Sequence, residues 1–224
     1  MPYRRTPLVP GEIYHVFNRS VAQQPIFLTN KHYQRALELI KFYIYMRPSL
    51  SFSHYNRLAQ DQKLLFWKNL QSKGVKQIEI FAYCLMPNHL HFLIKGITDK
   101  GITDFMRNLQ NSYAKYFNTK EKRSGALFQS MFKAVRIETE EQFIHVGRYI
   151  HLNPLTSYLI NIPDELENYP WCSFIEYLNN QTNQIINKYL MLGCFPSLKA
   201  FKTFTFNQID HQRKLALIEH LILE

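Results

Sequence analysis

Tyr83-Cys84-Leu85-Met86-Pro87-Asn88-His89-Leu90-His91-Phe92-Leu93-Ile94 is the stretch on which the reading of this chain turns. Met86-Pro87-Asn88 is a tight-turn signal between two apolar runs, residues 78–85 and 89–95. Runs this close pair most simply as an antiparallel hairpin. On the second strand, residues two apart share a face. His89 and His91 therefore stand side by side, while Leu90 points into the opposite layer. Two imidazoles so placed present nitrogens to one divalent ion. A solvated strand face tolerates the same pair, and the spacing alone leaves both readings open. Cys84 has no second cysteine near it in sequence to close a four-ligand zinc site. Two histidines with one weaker oxygen ligand suit Mg²⁺ or Mn²⁺ acting on a phosphate.

Working outward, the Pro10-Gly11 turn precedes a strand over 12–18. Residues 31–46 read as a helix whose apolar stripe is Tyr33, Leu37, Ile40, Ile44 and Tyr45. Residues 47–75 read as polar and irregular at first, then as a short helical piece around 64–70 and a break at Ser72-Lys73-Gly74. Downstream of the hairpin, Ile102, Phe105, Met106, Leu109, Tyr113, Tyr116 and Phe117 recur at helical spacing. A loop then runs into a strand ending near 137. Thr139-Glu140-Glu141-Gln142 is a capping pattern opening a helix to about 152, which Pro154 is expected to stop. The order is β-α-β-β-α-β followed by a helix. That is an α+β, ferredoxin-like core with an antiparallel sheet, its helices covering one face. Residues 1–177 form one unit. Residues 178–224 are a helical appendage, with a polar linker or helix start at 179–187 and a helix at the Leu215-Ala216-Leu217-Ile218 stripe.

On the last core helix, Phe143, Val146 or Gly147, and Ile150 make the buried stripe. His145, Tyr149 and Asn153 lie four apart on another face. A phenol there can attack phosphorus and store the bond as a phosphotyrosine. Asn153 can lend its amide oxygen as a third metal ligand, or equally serve the backbone at a helix end. Arg148 is a candidate to assist loss of the phenol proton. His145 reads as solvated, and Tyr113 and Tyr116 as core.

Charge points to polyanions. Residues 1–154 carry 22 basic and 10 acidic side chains, a balance of +12, whereas 155–224 carry 5 and 7, or −2. The 14 tyrosines and 17 phenylalanines fill a core or offer stacking surfaces for unpaired bases. Cys84, Cys172 and Cys194 have no paired spacing, which argues against a disulfide framework. With no apolar leader and no run of 18 apolar residues, the expectation is a cytoplasmic protein that does not enter a membrane.

Taken in order, Pro10-Gly11-Glu12-Ile13-Tyr14-His15-Val16-Phe17-Asn18-Arg19, the hairpin stretch, Arg148-Tyr149-Ile150-His151-Leu152-Asn153-Pro154 and Tyr169-Pro170-Trp171-Cys172-Ser173-Phe174 form a pattern. The chain resembles the HUH-type single-tyrosine transposases of the IS200 class, nearest their REP-associated branch, over roughly residues 3–177. The resemblance implies that His89 and His91 are paired ligands and Tyr149 the nucleophile. Asn153 stands where relatives carry a polar third ligand, often a longer glutamine. It implies action on single-stranded DNA beside a hairpin through a 5′-phosphotyrosine. Both a homodimer exchanging the tyrosine helix and a monomer occur in the class. Arg4 and Arg5, as an N-terminal arm, and Arg19, Lys95, Arg107, Lys115, Lys122, Arg123, Lys133 and Arg136 are the candidate DNA contacts. Phe128-Gln129 resembles a DNA-facing stretch. Two other readings stay open: a hairpin-binding regulator without turnover, and a metal-dependent phosphodiesterase that uses water.

Overall fold

The computed structural model describes residues 7–179 and 185–209. Four strands form one antiparallel sheet: β1 (Ile13–Arg19), β2 (Ile78–Met86), β3 (His89–Gly96) and β4 (Lys133–Ile137), in the order β2-β3-β1-β4. Between β1 and β2 come α1 (Asn30–Tyr43), α2 (Phe52–Arg57) and α3 (Gln60–Lys73). α4 (Gly101–Lys120) joins β3 to β4, and α5 (Glu140–Thr156) follows β4. Four short helices complete the described chain: α6 (Pro163–Leu166), α7 (Phe174–Leu178), α8 (Tyr189–Gly193) and α9 (Leu198–Phe206). The α+β, ferredoxin-like order expected from the sequence is the one observed. The expected helix at 215–218 and part of the 179–187 stretch lie outside the described residues.

Alternation along β1 divides the sheet into two faces. Tyr14, Val16 and Asn18 are buried beneath α1 and α4, where Phe92 of β3 meets Phe105 edge-on. His15, Phe17 and Arg19 point the other way, with His89, His91 and Leu93 of β3 alongside. α5 lies over the β2–β3 half of this second face. Phe143 packs against Phe81 with ring centroids 5.2 Å apart, and a methyl at Gly147 would touch Leu93. One face is thus fully covered and the other half covered.

Three departures from the sequence reading have physical causes. The 47–75 stretch is mostly helical. Phe52, Tyr55, Phe66 and Trp67 cluster around Phe42 of α1, and this lateral aromatic core stabilises α2 and α3, which each bury only one or two residues. Tyr45 lies beyond α1 and bridges to Lys76 instead of extending the helix stripe. Pro154 sits inside α5, not at its end. A proline costs the helix one bond to the carbonyl four residues back, but residues 150–156 are all buried, and the Asn153 and Pro154 carbonyls accept from Ser157 and Leu159. Packing outweighs the lost bond.

The β2 edge is covered as well. Backbone groups of Trp171, Ser173 and Asn187 bond to Leu85, Tyr83 and Ile80. The Asn187 end of the expected linker therefore docks on the sheet. Cys84 and Cys172, distant in sequence, face each other across this edge as free buried thiols.

Candidate functional site

The β1–β3 register sets three imidazoles together. Phe17 pairs with His91 and His15 with Leu93, so the His15 ring reaches diagonally to His91. His15 Nε2 lies 2.9 Å from His91 Nδ1, and the two rings stack with centroids 5.2 Å apart. His89 stands edge-on to His91 at 4.9 Å, and its Nδ1 lies 2.6 Å from Asn88 Oδ1. An amide oxygen accepts, so the His89 proton is on Nδ1 and its Nε2 carries the lone pair. The Nδ1 of each hairpin histidine is thus engaged by a fixed neighbour, which leaves Nε2 on both.

Burial keeps all three rings neutral. It holds His15 and His89 down to about 4, with the Arg19 charge adding to the effect at His89. His91 lies well below the ordinary histidine value, through burial and then the neighbouring histidines and Arg19. Neutral imidazole is the form that ligates metal.

α5 brings the phenol to this cluster. Thr139 caps it by accepting from the Gln142 N–H at 3.1 Å, and Phe143, Gly147 and Ile150 are buried against the sheet and α8, so the helix orientation is set. Tyr149, 41% exposed, meets His91 and His15 edge-on with ring centroids 5.7 and 5.8 Å away. Asn153, one turn on, is buried, and its Nδ2 donates to the Tyr149 carbonyl at 3.2 Å. The amide is engaged on its own helix. Among the described residues, no group of three or more His, Cys, Asp or Glu is disposed to hold a metal ion.

Arg148 faces away from the phenol's surroundings. Its guanidinium donates to the Phe204 carbonyl at 3.3 Å and lies 4.2 Å above the Phe204 ring, with Nη2 2.6 Å from His145 Nδ1. It braces α5 on α9, and His145 is partnered, not merely solvated. His151, on the inner side of α5, lies 3.0 Å from the Ser173 hydroxyl.

The candidate DNA contacts divide sharply. Arg19 and Lys133 border the histidines: Arg19 pairs across the sheet with His89, and Lys133 Nζ sits 5.9 Å from the Phe17 ring centroid. Lys122 and Arg123 lie on the α4–β4 connection, whose Gln129 bonds to Arg19 at the end of β1 and whose Leu127 bonds to Val21 just past it. There Phe128 turns inward against Tyr113, and only Gln129 of that pair is exposed. Lys95 and Arg136 lie toward the far end of the sheet, Arg136 paired with Glu12 at 2.9 Å. Arg107 and Lys115 sit on α4, behind the sheet, with Arg107 paired to Asp104. Arg4 and Arg5 lie outside the described residues.

His15 was the residue to which sequence reasoning assigned no role. Its only signal was alternation on β1, which places it on the face of His89 and His91 once the register is known.

Residues 55–153 match the family described as IS200-like transposases, a span that holds the histidine hairpin and Tyr149. The structure is similar to that of a REP-associated tyrosine transposase bound to a REP hairpin, with a TM-score of 0.54 at 14% identity over 83% of this chain and 90% of that one. No curated protein matches the sequence. Among the described residues, no helix is long and apolar enough to cross a membrane.

Proposed function

We propose that this chain, whose residues 55–153 match the IS200-like transposase family, cuts and rejoins single-stranded DNA beside a hairpin with Tyr149 as nucleophile. One observation carries the reading: an accessible phenol stands edge-on to two members of a histidine cluster contributed by its own chain.

In the first transfer, the Tyr149 oxygen bonds to phosphorus and the P–O3′ bond breaks. The 3′ oxygen leaves and takes a proton from solvent to become a hydroxyl, and the phenol's proton departs to solvent on the exposed side. In the second, a free 3′-OH attacks the 5′-phosphotyrosine and Tyr149 is released. His89 and His91 fit a divalent ion, Mg²⁺ or Mn²⁺, as neutral donors through Nε2, with Asn153 as a candidate oxygen donor after rotation from its helix contact. Such an ion, when bound, supplies Lewis-acid polarisation of the scissile phosphate. The chain's own part is to hold the phenol and exclude water from one side of it. Because phenol and imidazoles belong to one chain, a monomer suffices.

A hairpin-binding regulator without turnover is the second reading, favoured by Asn153 being engaged on α5. The deciding experiment incubates the protein with Mg²⁺ or Mn²⁺ and a single-stranded hairpin oligonucleotide from the DNA flanking its gene. A covalent protein–DNA product is expected, absent in Tyr149→Phe and in the double variant His89→Ala, His91→Ala. DNA bound without any adduct supports the regulator. Cleavage that survives Tyr149→Phe points to water as nucleophile.

A further inference from the structure

The half of the site face that α5 leaves open has a composition of its own. On β1, His15, Phe17 and Arg19 follow at every second position, and on β4, Lys133 and Val135 stand opposite Phe17 and His15. Val135 is 56% exposed, and Lys133 and Arg19 are exposed too. Phe17 lies nearly parallel to both neighbouring imidazoles, at 20° and 5.5 Å from His91 and 30° and 4.9 Å from His15. The rings of His15, Phe17 and His91 thus form a shelf on the sheet, flanked by two cations and walled on one side by Tyr149.

We propose that Phe17 is the platform on which an unpaired base next to the scissile phosphate stacks, with Lys133 and Arg19 pairing the adjoining phosphates. The proposal rests on the single-stranded DNA reading. An aromatic ring offers a face to any base, and cations beside it neutralise the backbone, the combination by which single strands are held without sequence preference. Phe17 lies about 7 Å along the strand from His15, two residues of rise, so a base there belongs to a nucleotide adjoining the phosphate that reaches Tyr149. The Lys133 ammonium, now over the ring, is on a long exposed side chain that can move to a phosphate when a base takes its place.

The test uses the full chain carrying Tyr149→Phe, with chelator present, so that binding is read without turnover. The probe is single-stranded oligothymidylate with one central 2-aminopurine. Binding is expected to quench the fluorophore. Phe17→Ala should remove the quench and weaken binding about tenfold, the scale of one lost base–aromatic stack. Phe17→Leu, which keeps an apolar side chain and the sheet packing, should behave like Phe17→Ala, and Phe17→Trp should restore the parent. None of the three should change the slope of affinity against salt, which reports phosphate contacts. Quench and affinity unchanged in Phe17→Leu, or no quench in the parent, would overturn the proposal. The adduct assay separates the two claims. Adducts with a Phe17-independent quench sink the base platform alone, whereas a Phe17-dependent quench without adducts sinks only the chemistry.

Discussion

His15 Nε2 lies 2.9 Å from His91 Nδ1, bridging β1 to the hairpin. If His91 offers Nε2 to an ion, its Nδ1 must carry the proton, and His15 is the acceptor that keeps it there. Partners of this kind orient a ligand and set its tautomer, and their loss typically costs about 10- to 100-fold in metal affinity. His15→Ala is expected to weaken Mn²⁺ binding by that order in calorimetry, without removing either hairpin histidine. His15→Gln, whose amide oxygen can accept the same proton, should recover part of it. Equal Mn²⁺ affinity in His15→Ala and the parent would show that His91 needs no such support.

The hairpin, α4 and the start of α5 were legible because each is decided locally. A turn signal between apolar runs, a stripe at helical spacing and a capping pattern do not depend on distant residues. What escaped depends on partners far along the chain. His15 acquires its meaning 76 residues before His91, through a register that no local pattern states. α2 and α3 are held by rings scattered over three helices. The direction of Arg148 is set by Phe204, on a helix that sequence reading had set apart from the core. Pro154 misled because its local rule is real, and burial on both sides overrode it.

Burial of His151 makes the fold acid-sensitive. Buried neutral with a value near 3, against 6.5 when exposed, it binds no proton in the native state over a range where the unfolded chain does. Its contribution is fully present above about pH 6.5. As pH falls from there toward 3, stability drops by about 1.4 kcal/mol per pH unit for this one proton. His151→Gln is expected to flatten the decline by about one proton between pH 6 and 4, whatever it costs at neutral pH. Chemical denaturation at several pH values reads this directly. An unchanged slope would mean that His151 titrates alike in both states.

Position on the sheet, not charge alone, should decide which cations touch DNA. Arg19 borders the histidines, whereas Arg107 is paired to Asp104 on the helix behind the sheet. Arg19→Ala is therefore expected to lower the log–log salt slope of single-strand binding by about 0.7, one phosphate contact. Arg107→Ala should leave the slope as it is. The reverse order in a salt titration would place the DNA on the α4 side of the sheet.

Arg148 tests whether α9 steadies the nucleophile. Its guanidinium donates to the Phe204 carbonyl, lies over the Phe204 ring and meets His145, three contacts from one side chain adjacent to Tyr149. Arg148→Met keeps apolar volume but loses the charged hydrogen bond and the ring contact. A destabilisation of roughly 2–3 kcal/mol is expected, the scale of those two interactions in a buried setting. Arg148→Lys should recover little, because one ammonium cannot lie flat on the ring while reaching both acceptors. If α9 matters only to folding, both variants will form the Tyr149–DNA adduct at the parent rate well below their melting temperatures. If it holds α5 in place over the histidines, as the packing argues, the adduct rate will fall in the order parent, Lys, Met under those same conditions, and by more than Mn²⁺ affinity does. A loosened helix moves the phenol and Asn153 but leaves both histidine ligands on the hairpin where they were, and a loss of rate larger than the loss of ion binding is the measurement that decides it.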